Sequence, residues 1–158
     1  MSSNNQLLIM KGTNQVIENN CMYCEKNEML NKLMIPICEV DGFPLYLLRN
    51  QAYLGRTVLA YQDHVTKISK METNKCTSFY LAVQKVTKVL QEIFEPGQIN
   101  IGMFGDKVSH LHCHIVPKYD GELDWGSNFQ LNPRPEVMLN EDKYNFIIEK
   151  IRTMLIYN

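Results

Sequence analysis

The stretch "SHLHCHIVPKYDG", residues 109–121, places three of the chain's four histidines, His110, His112 and His114, on alternate positions. Side chains in a strand alternate between its two faces, so this spacing reads as a β-strand. One face then carries the three imidazoles at steps of about 6.8 Å, and the other carries Leu111, Cys113 and Ile115. The first face is chemical and the second belongs to a core. Pro117 marks the expected end of the strand, because proline has no N–H to give to a ladder. Imidazole can ligate a metal, act as acid or base, or attack an electrophile, and its ordinary pKa near 6.5 leaves much of it neutral and nucleophilic.

The elements around this strand are legible from period and turn chemistry. "IPICEV", "FPLYLLRN" and "RTVLAY", between Ile35 and Tyr61, read as antiparallel strands, the first two joined by the Asp41-Gly42 hairpin signal. "SKME" offers Ser69 and Glu72 as a capping box. Phe79, Ala82, Val83, Val86, Leu90, Ile93 and Phe94 then recur at helical spacing until Pro96-Gly97. "QINIGMFG" is a further β-like piece, leading through Gly105-Asp106 to the histidines. A last amphipathic helix begins near Glu141, with Tyr144, Ile147, Ile148, Ile151, Met154 and Leu155 on one side. The expected class is α+β, an antiparallel sheet with helices packed on one face.

Composition narrows the function classes. A chain of 158 residues with 45% hydrophobic content can bury a real core and is expected to form one domain over residues 21–158, preceded by a flexible Asn/Ser/Gln-rich arm at 1–20. The net charge of -1 provides no broad positive field, which disfavours nucleic acid as partner and points to a small anionic ligand. No apolar run approaches the roughly 20 residues needed to span a bilayer, and no membrane association is expected. The N-terminal stretch lacks the apolar core of a signal peptide, so a cytoplasmic location is expected. There, five cysteines are thiols or metal ligands rather than a disulfide framework. Cys21 and Cys24 stand in C-x2-C spacing, which suits either a redox dithiol or half of a zinc site.

"HLHCHIV" resembles the H-φ-H-φ-H-φ-φ signature of the histidine-triad (HIT) family of nucleotide hydrolases and transferases, with Cys113 as a small apolar φ. The order of strand pair, "GRTVLAYQDHVTKIS", long helix and "NIGMFGDKVSHLHCHIVPKY" is similar to the small HIT hydrolases over roughly residues 21 to 120. "DGELDWGSNFQLNP" resembles the tail of a bacterial-type branch. The resemblance implies that the middle histidine, His112, attacks the α-phosphorus of a nucleoside phosphate derivative to form a nucleotidyl-histidine, while His114 helps to hold the phosphate. It places Asn50 and Asn100 near ribose and phosphate. It also implies a structural zinc held by Cys21, Cys24, His64 and His110, and a homodimer with one continuous sheet.

The chemistry of the residues adds to this. A nitrogen nucleophile needs its second ring nitrogen fixed by a partner, and phosphoryl oxygens need flanking donors. His114, Ser109, Lys107 and the backbone around Gly105 are candidates for those donors, and Tyr23, Met29 or Leu47 for an apolar wall against the base. Two departures from the family pattern stand out: Gly55-Arg56 where many members have Gly-His, and Asp106-Lys107 where many have Gln-Ser or Gln-Thr. Both bear on the leaving group and its proton donor.

The expected function is hydrolysis or transfer at a purine nucleoside monophosphate derivative (AMP or GMP type), such as a phosphoramidate, an adenylate or a dinucleoside polyphosphate. The alternatives are a nucleotide-binding adaptor without turnover, and a metalloprotein using the three histidines as an open catalytic site.

Overall fold

The structure, a computed structural model, describes residues 20–157; apart from Asn20, the arm expected at 1–20 lies outside them. Five antiparallel strands form one sheet: β1 (Met34–Val40), β2 (Phe43–Leu48), β3 (Thr57–Ala60), β4 (Gln98–Gly102) and β5 (His112–Lys118), in the order β1-β2-β3-β5-β4. Two short helices, α1 (Met22–Glu25) and α2 (Glu28–Leu33), precede the sheet. The long helix α3 (Thr73–Phe94) lies between β3 and β4, and α4 (Glu141–Tyr157) follows β5.

The β1–β2 turn takes positive φ at both Asp41 and Gly42, 51° and 89°, the backbone that a tight two-residue hairpin requires and that Asp-Gly supplies at low cost. Helix α3 buries Phe79, Ala82, Val83, Val86, Val89 and Leu90 against the sheet, and α4 buries Tyr144, Ile147, Ile148, Ile151 and Leu155 beside it. Each of the valine, leucine, isoleucine and phenylalanine side chains among them contributes roughly 1.5–3 kcal/mol on leaving water. The opposite face carries a second, smaller cluster of Met22, Tyr23, Leu30, Met34, Tyr46, Val58 and Ala60. The sheet is thus covered on both faces: the long helices lie on one, and the first two helical turns on the other.

Two details differ from the sequence expectation. Ser69 sits in a 3-10 turn (Ile68–Lys70), and Glu72 is the N-cap of α3 without a side-chain capping bond, so the capping box does not form. Strand β5 continues through Pro117 to Lys118. β3 pairs with β5 only as far as Ile115, so beyond that point β5 has a ladder partner on one side alone, where a missing N–H is tolerated.

Register places the histidines. His112 lies opposite Ala60 and His114 opposite Val58, on the face of the smaller cluster, while Cys113 lies opposite Leu59 in the main core. Residues 119–140 then cross the end of this face: Lys118 donates to the carbonyls of Asp124 and Ser127, and Tyr53 donates to Asp124 and accepts from the Gln130 N–H at 2.8 Å.

Candidate functional site

The three histidines are each held by a different partner, and the partner decides what each ring offers. Carbonyl oxygens only accept, so the contact of 2.8 Å from His110 Nε2 to the Tyr61 carbonyl puts the proton on Nε2 and leaves the lone pair on Nδ1. For His112 the same logic runs the other way. Nδ1 lies 2.6 Å from the His110 carbonyl and carries the proton, leaving the lone pair on Nε2. His114 Nδ1 lies 3.2 Å from Arg56 Nη2. A guanidinium has no acceptor, so this Nδ1 accepts and the His114 proton is on Nε2.

His110 belongs to a group of four residues that could hold a metal ion. Its Nδ1 lies 3.4 Å from Cys21 Sγ and 3.5 Å from Cys24 Sγ, and His64 Nδ1 lies 3.3 Å from Cys24 Sγ. The ligand atoms of Cys21, Cys24, His64 and His110 all fall within 4.8 Å of one another. Tetrahedral Zn2+ with Zn–S near 2.3 Å and Zn–N near 2.0 Å sets its ligands roughly 3.3–3.8 Å apart. Two thiols and two imidazoles fit that ion, and the four residues form a possible zinc site tying α1 to the loop after β3 and to the start of β5. The second ring nitrogen of His110, anchored on the Tyr61 carbonyl, is the outer-shell contact that orients a ligating imidazole. His110 sits just before β5, not inside it.

His112 and His114 instead line a cavity of about 340 Å3. Its apolar side includes Met22, Tyr23, Leu33, Met34 and Leu48, and its charged side Arg49, Lys107 and Arg134. Both imidazoles are buried, at 5% and 8% exposed. Burial holds the pKa of His112 below its ordinary value, which keeps the lone pair available. His114 is pushed down to about 3, by burial first and then by the adjacent Arg56 guanidinium and His112. The ring of Tyr23 packs over both His110 and His112, with centroids 5.0 and 5.2 Å apart, so one side chain of α1 braces the metal ligand and its neighbour.

Arg56 is fully buried. Its Nη1 donates to the carbonyls of Gln130 and Leu131 at 3.1 and 3.2 Å, and its guanidinium carbon lies 5.7 and 5.4 Å from the ring centres of Tyr53 and Phe129. Gly102 lies opposite His114 on β4. A Cβ there would meet Phe104 at 2.7 Å and Phe129 at 2.9 Å, the two rings that pack on His114, so the absence of a side chain makes their approach possible.

The remaining candidates divide. Lys107 and Tyr23 line the cavity. Asn50 also lines it, but its amide donates to the Pro133 carbonyl at 3.2 Å and accepts from the Ala52 and Val137 N–H groups, so its polar atoms secure the crossing segment. Asn100, Ser109 and Gly105 do not line this cavity; Gly105 borders a neighbouring depression shared with His110 and His112. Of the proposed base wall, Leu47 is buried in the main core and Met29 is 57% exposed outside the cavity, while Leu48 and Met34 take their place.

Comparisons with known proteins agree with this geometry. The family model of the HIT domain matches residues 47–121. The bis(5'-nucleosyl)-tetraphosphatase (asymmetrical) of Schizosaccharomyces pombe is 28% identical over 69 residues, 40% of this chain and 38% of that protein. The crystal structure of a histidine-triad protein from Bradyrhizobium japonicum superposes with a TM-score of 0.74 at 17% identity, covering 82% of this chain and 96% of that one. A zinc-bound histidine-triad family protein from Mycobacterium smegmatis superposes with a TM-score of 0.62 at 17% identity, covering 87% of this chain and 94% of that one. With the triad, the sheet order and the family model in agreement, the chain carries a HIT domain over residues 47–121 and shares the fold of histidine-triad proteins.

Proposed function

We propose that this chain is a hydrolase or transferase acting at the α-phosphorus of a purine nucleoside monophosphate derivative through a covalent nucleotidyl-His112 intermediate. The observation that carries the reading is the bond from His112 Nδ1 to the His110 carbonyl, which leaves a neutral Nε2 lone pair on a residue lining a cavity of nucleotide size. The nitrogen attacks phosphorus, the bond to the leaving group breaks, and water then cleaves the P–N bond and releases the nucleoside monophosphate. The His114 Nε2–H supplies a hydrogen bond to phosphoryl oxygens, and Lys107 and Arg49 supply charge at the cavity rim. Zinc, when bound, crosslinks α1 to the start of β5 and positions His110, whose carbonyl holds His112; it takes no part in the phosphoryl chemistry. The relationship to a dinucleoside tetraphosphatase supports the substrate class.

We assign residues 21–158 to a single domain that acts in the cytoplasm, consistent with five cysteines among which no disulfide forms. Among the described residues no helix is long and apolar enough to cross a membrane. We propose a homodimer joined through the β4 edge, where Ile101 is half exposed and, among the described residues, no strand pairs beyond it.

The ligand class has a direct test. The cavity wall is apolar toward the base, so AMP and GMP are expected to bind in calorimetric titration with affinities differing by no more than about 1–3 kcal/mol. A short oligonucleotide is expected to bind no more tightly than its terminal nucleotide. Oligonucleotide binding a hundredfold tighter, with steep salt dependence, would overturn the assignment.

A further inference from the structure

Arg56 is the least expected residue of the site. A fully buried guanidinium is rare unless its donors are engaged. Here Nη1 is spent on the Gln130 and Leu131 carbonyls and Nη2 on His114, while Nε has no partner. No carboxylate pairs with it among the described residues: Tyr53, Phe129 and His114 are its side-chain neighbours. Burial lowers its pKa to about 10, which still leaves it charged at neutral pH. Arg56 forms part of the cavity wall but has no exposed surface, whereas His114 in the same wall keeps 8%. With Nη1 engaged by two carbonyls, the bond from Nη2 to His114 Nδ1 is the contact that links Arg56 to a histidine of the site.

We infer that Arg56 is a positioning residue that fixes His114 as an uncharged Nε2–H donor, so that His114 binds the phosphoryl group but gives no proton to the leaving group. The inference rests on the nucleotidyl-transfer reading above and selects among its substrates. When His112 Nε2 bonds to phosphorus, the bond from phosphorus to the leaving atom breaks and its electron pair leaves with that atom. A carboxylate from an acyl adenylate, or a phosphate oxygen from a dinucleoside polyphosphate, departs as a stable anion and requires no proton. An amine leaving a phosphoramidate must be protonated as the P–N bond breaks. A neutral imidazole that is already a donor on Nε2, with its Nδ1 held by a cation, is not an acid able to do this. The charged groups facing the cavity fit an anionic leaving group. Lys32, Arg49, Arg56, Lys107 and Arg134 outnumber Asp106 and Glu136, and with Lys32 paired to Glu28 and Arg134 to Glu136, Arg49, Arg56 and Lys107 stand against Asp106. The pocket therefore favours adenylates and polyphosphates over phosphoramidates.

The test uses the full chain with zinc bound. Nitrogen-15 correlation spectra of the wild-type protein at neutral pH are expected to show the His114 proton on Nε2, and a proton on Nδ1 overturns the inference. Single-turnover rates are then compared for diadenosine tetraphosphate and adenosine phosphoramidate in wild type, R56M and R56K. R56M removes the charge and the donor at Nδ1, so His114 is no longer fixed as an Nε2–H donor and Nδ1 can take a proton, and the polyphosphate-to-phosphoramidate rate ratio is expected to fall at least tenfold. R56K retains a charged donor and is expected to keep the ratio within threefold of wild type. An unchanged ratio in a folded R56M overturns the inference. If R56M fails to fold, the wild-type tautomer decides the role of Arg56. Wild-type protein that turns over neither substrate, with the tautomer as stated, contradicts the nucleotidyl-transfer reading and leaves the Arg56–His114 lock standing.

Discussion

His112→Ala is expected to reduce turnover of a dinucleoside polyphosphate by about 10^4-fold or more, roughly 5 kcal/mol in the barrier, while zinc content and fold stay unchanged. The size of the effect follows from the role. Without the Nε2 lone pair the covalent route is closed, and only phosphate binding by the surrounding donors remains. His112 touches neither thiol of the metal centre; its Nδ1 bond goes to the backbone of His110, not to that residue's ring. Nucleotide affinity should change little, because the apolar wall and the charged rim persist. Stopped assays for the released monophosphate, paired with elemental analysis of the same preparation, check both halves. If the alanine variant loses zinc along with activity, the three histidines share one metal and the separation into ligand, nucleophile and donor is wrong.

The second large effect falls on stability. Cys24→Ala removes a thiolate that lies within reach of both His64 and His110, and three ligands do not hold structural zinc as four do. An ion bound at a thousandfold above its dissociation constant stabilises the native state by about 4 kcal/mol. Its loss is expected to cost on that order and to lower Tm by roughly 10 °C. Thermal unfolding followed with and without added zinc measures it. Wild type should respond to chelator with a comparable fall and the variant should not respond. Turnover in the variant is expected to drop less than in His112→Ala, because β5, with its partners β3 and β4, still presents the nucleophile. Equal responses to chelator in the two proteins would show that Cys24 is not a ligand.

Much of this site is written locally in the chain. The alternation in "HLHCHIV" specifies a strand with imidazoles on one face, and the register opposite Val58 and Ala60 follows from burying Cys113 and Ile115 on the other. Helices α3 and α4 and the Asp41-Gly42 turn are equally local, since period and turn chemistry decide them. What is not local is not legible. Arg56 stands out in the sequence as a departure near the leaving group, but its burial is not legible there, because arginine is usually exposed and the carbonyls that hold it arrive from 74 and 75 residues away. Asn50 reads as a ligand contact, yet its amide is engaged by Pro133 and Val137, again from the crossing segment. Leu47 and Leu48 show the cost of parity. Pairing Leu47 with Ile35 and Leu48 with Met34 sends the first into the main core and the second to the cavity, and a shift of one residue would exchange them. Nothing short of the strand register distinguishes the two leucines.

The most direct measurement of the central claim is intact-protein and peptide mass spectrometry after acid-free quenching of a single turnover with diadenosine tetraphosphate. The expected result is one added adenylyl mass per chain, mapped to His112, absent from His112→Ala and lost on standing as water releases AMP. Turnover without any adduct at the earliest times, or an adduct on His114 or Lys107, would contradict the assignment of His112 as the nucleophile.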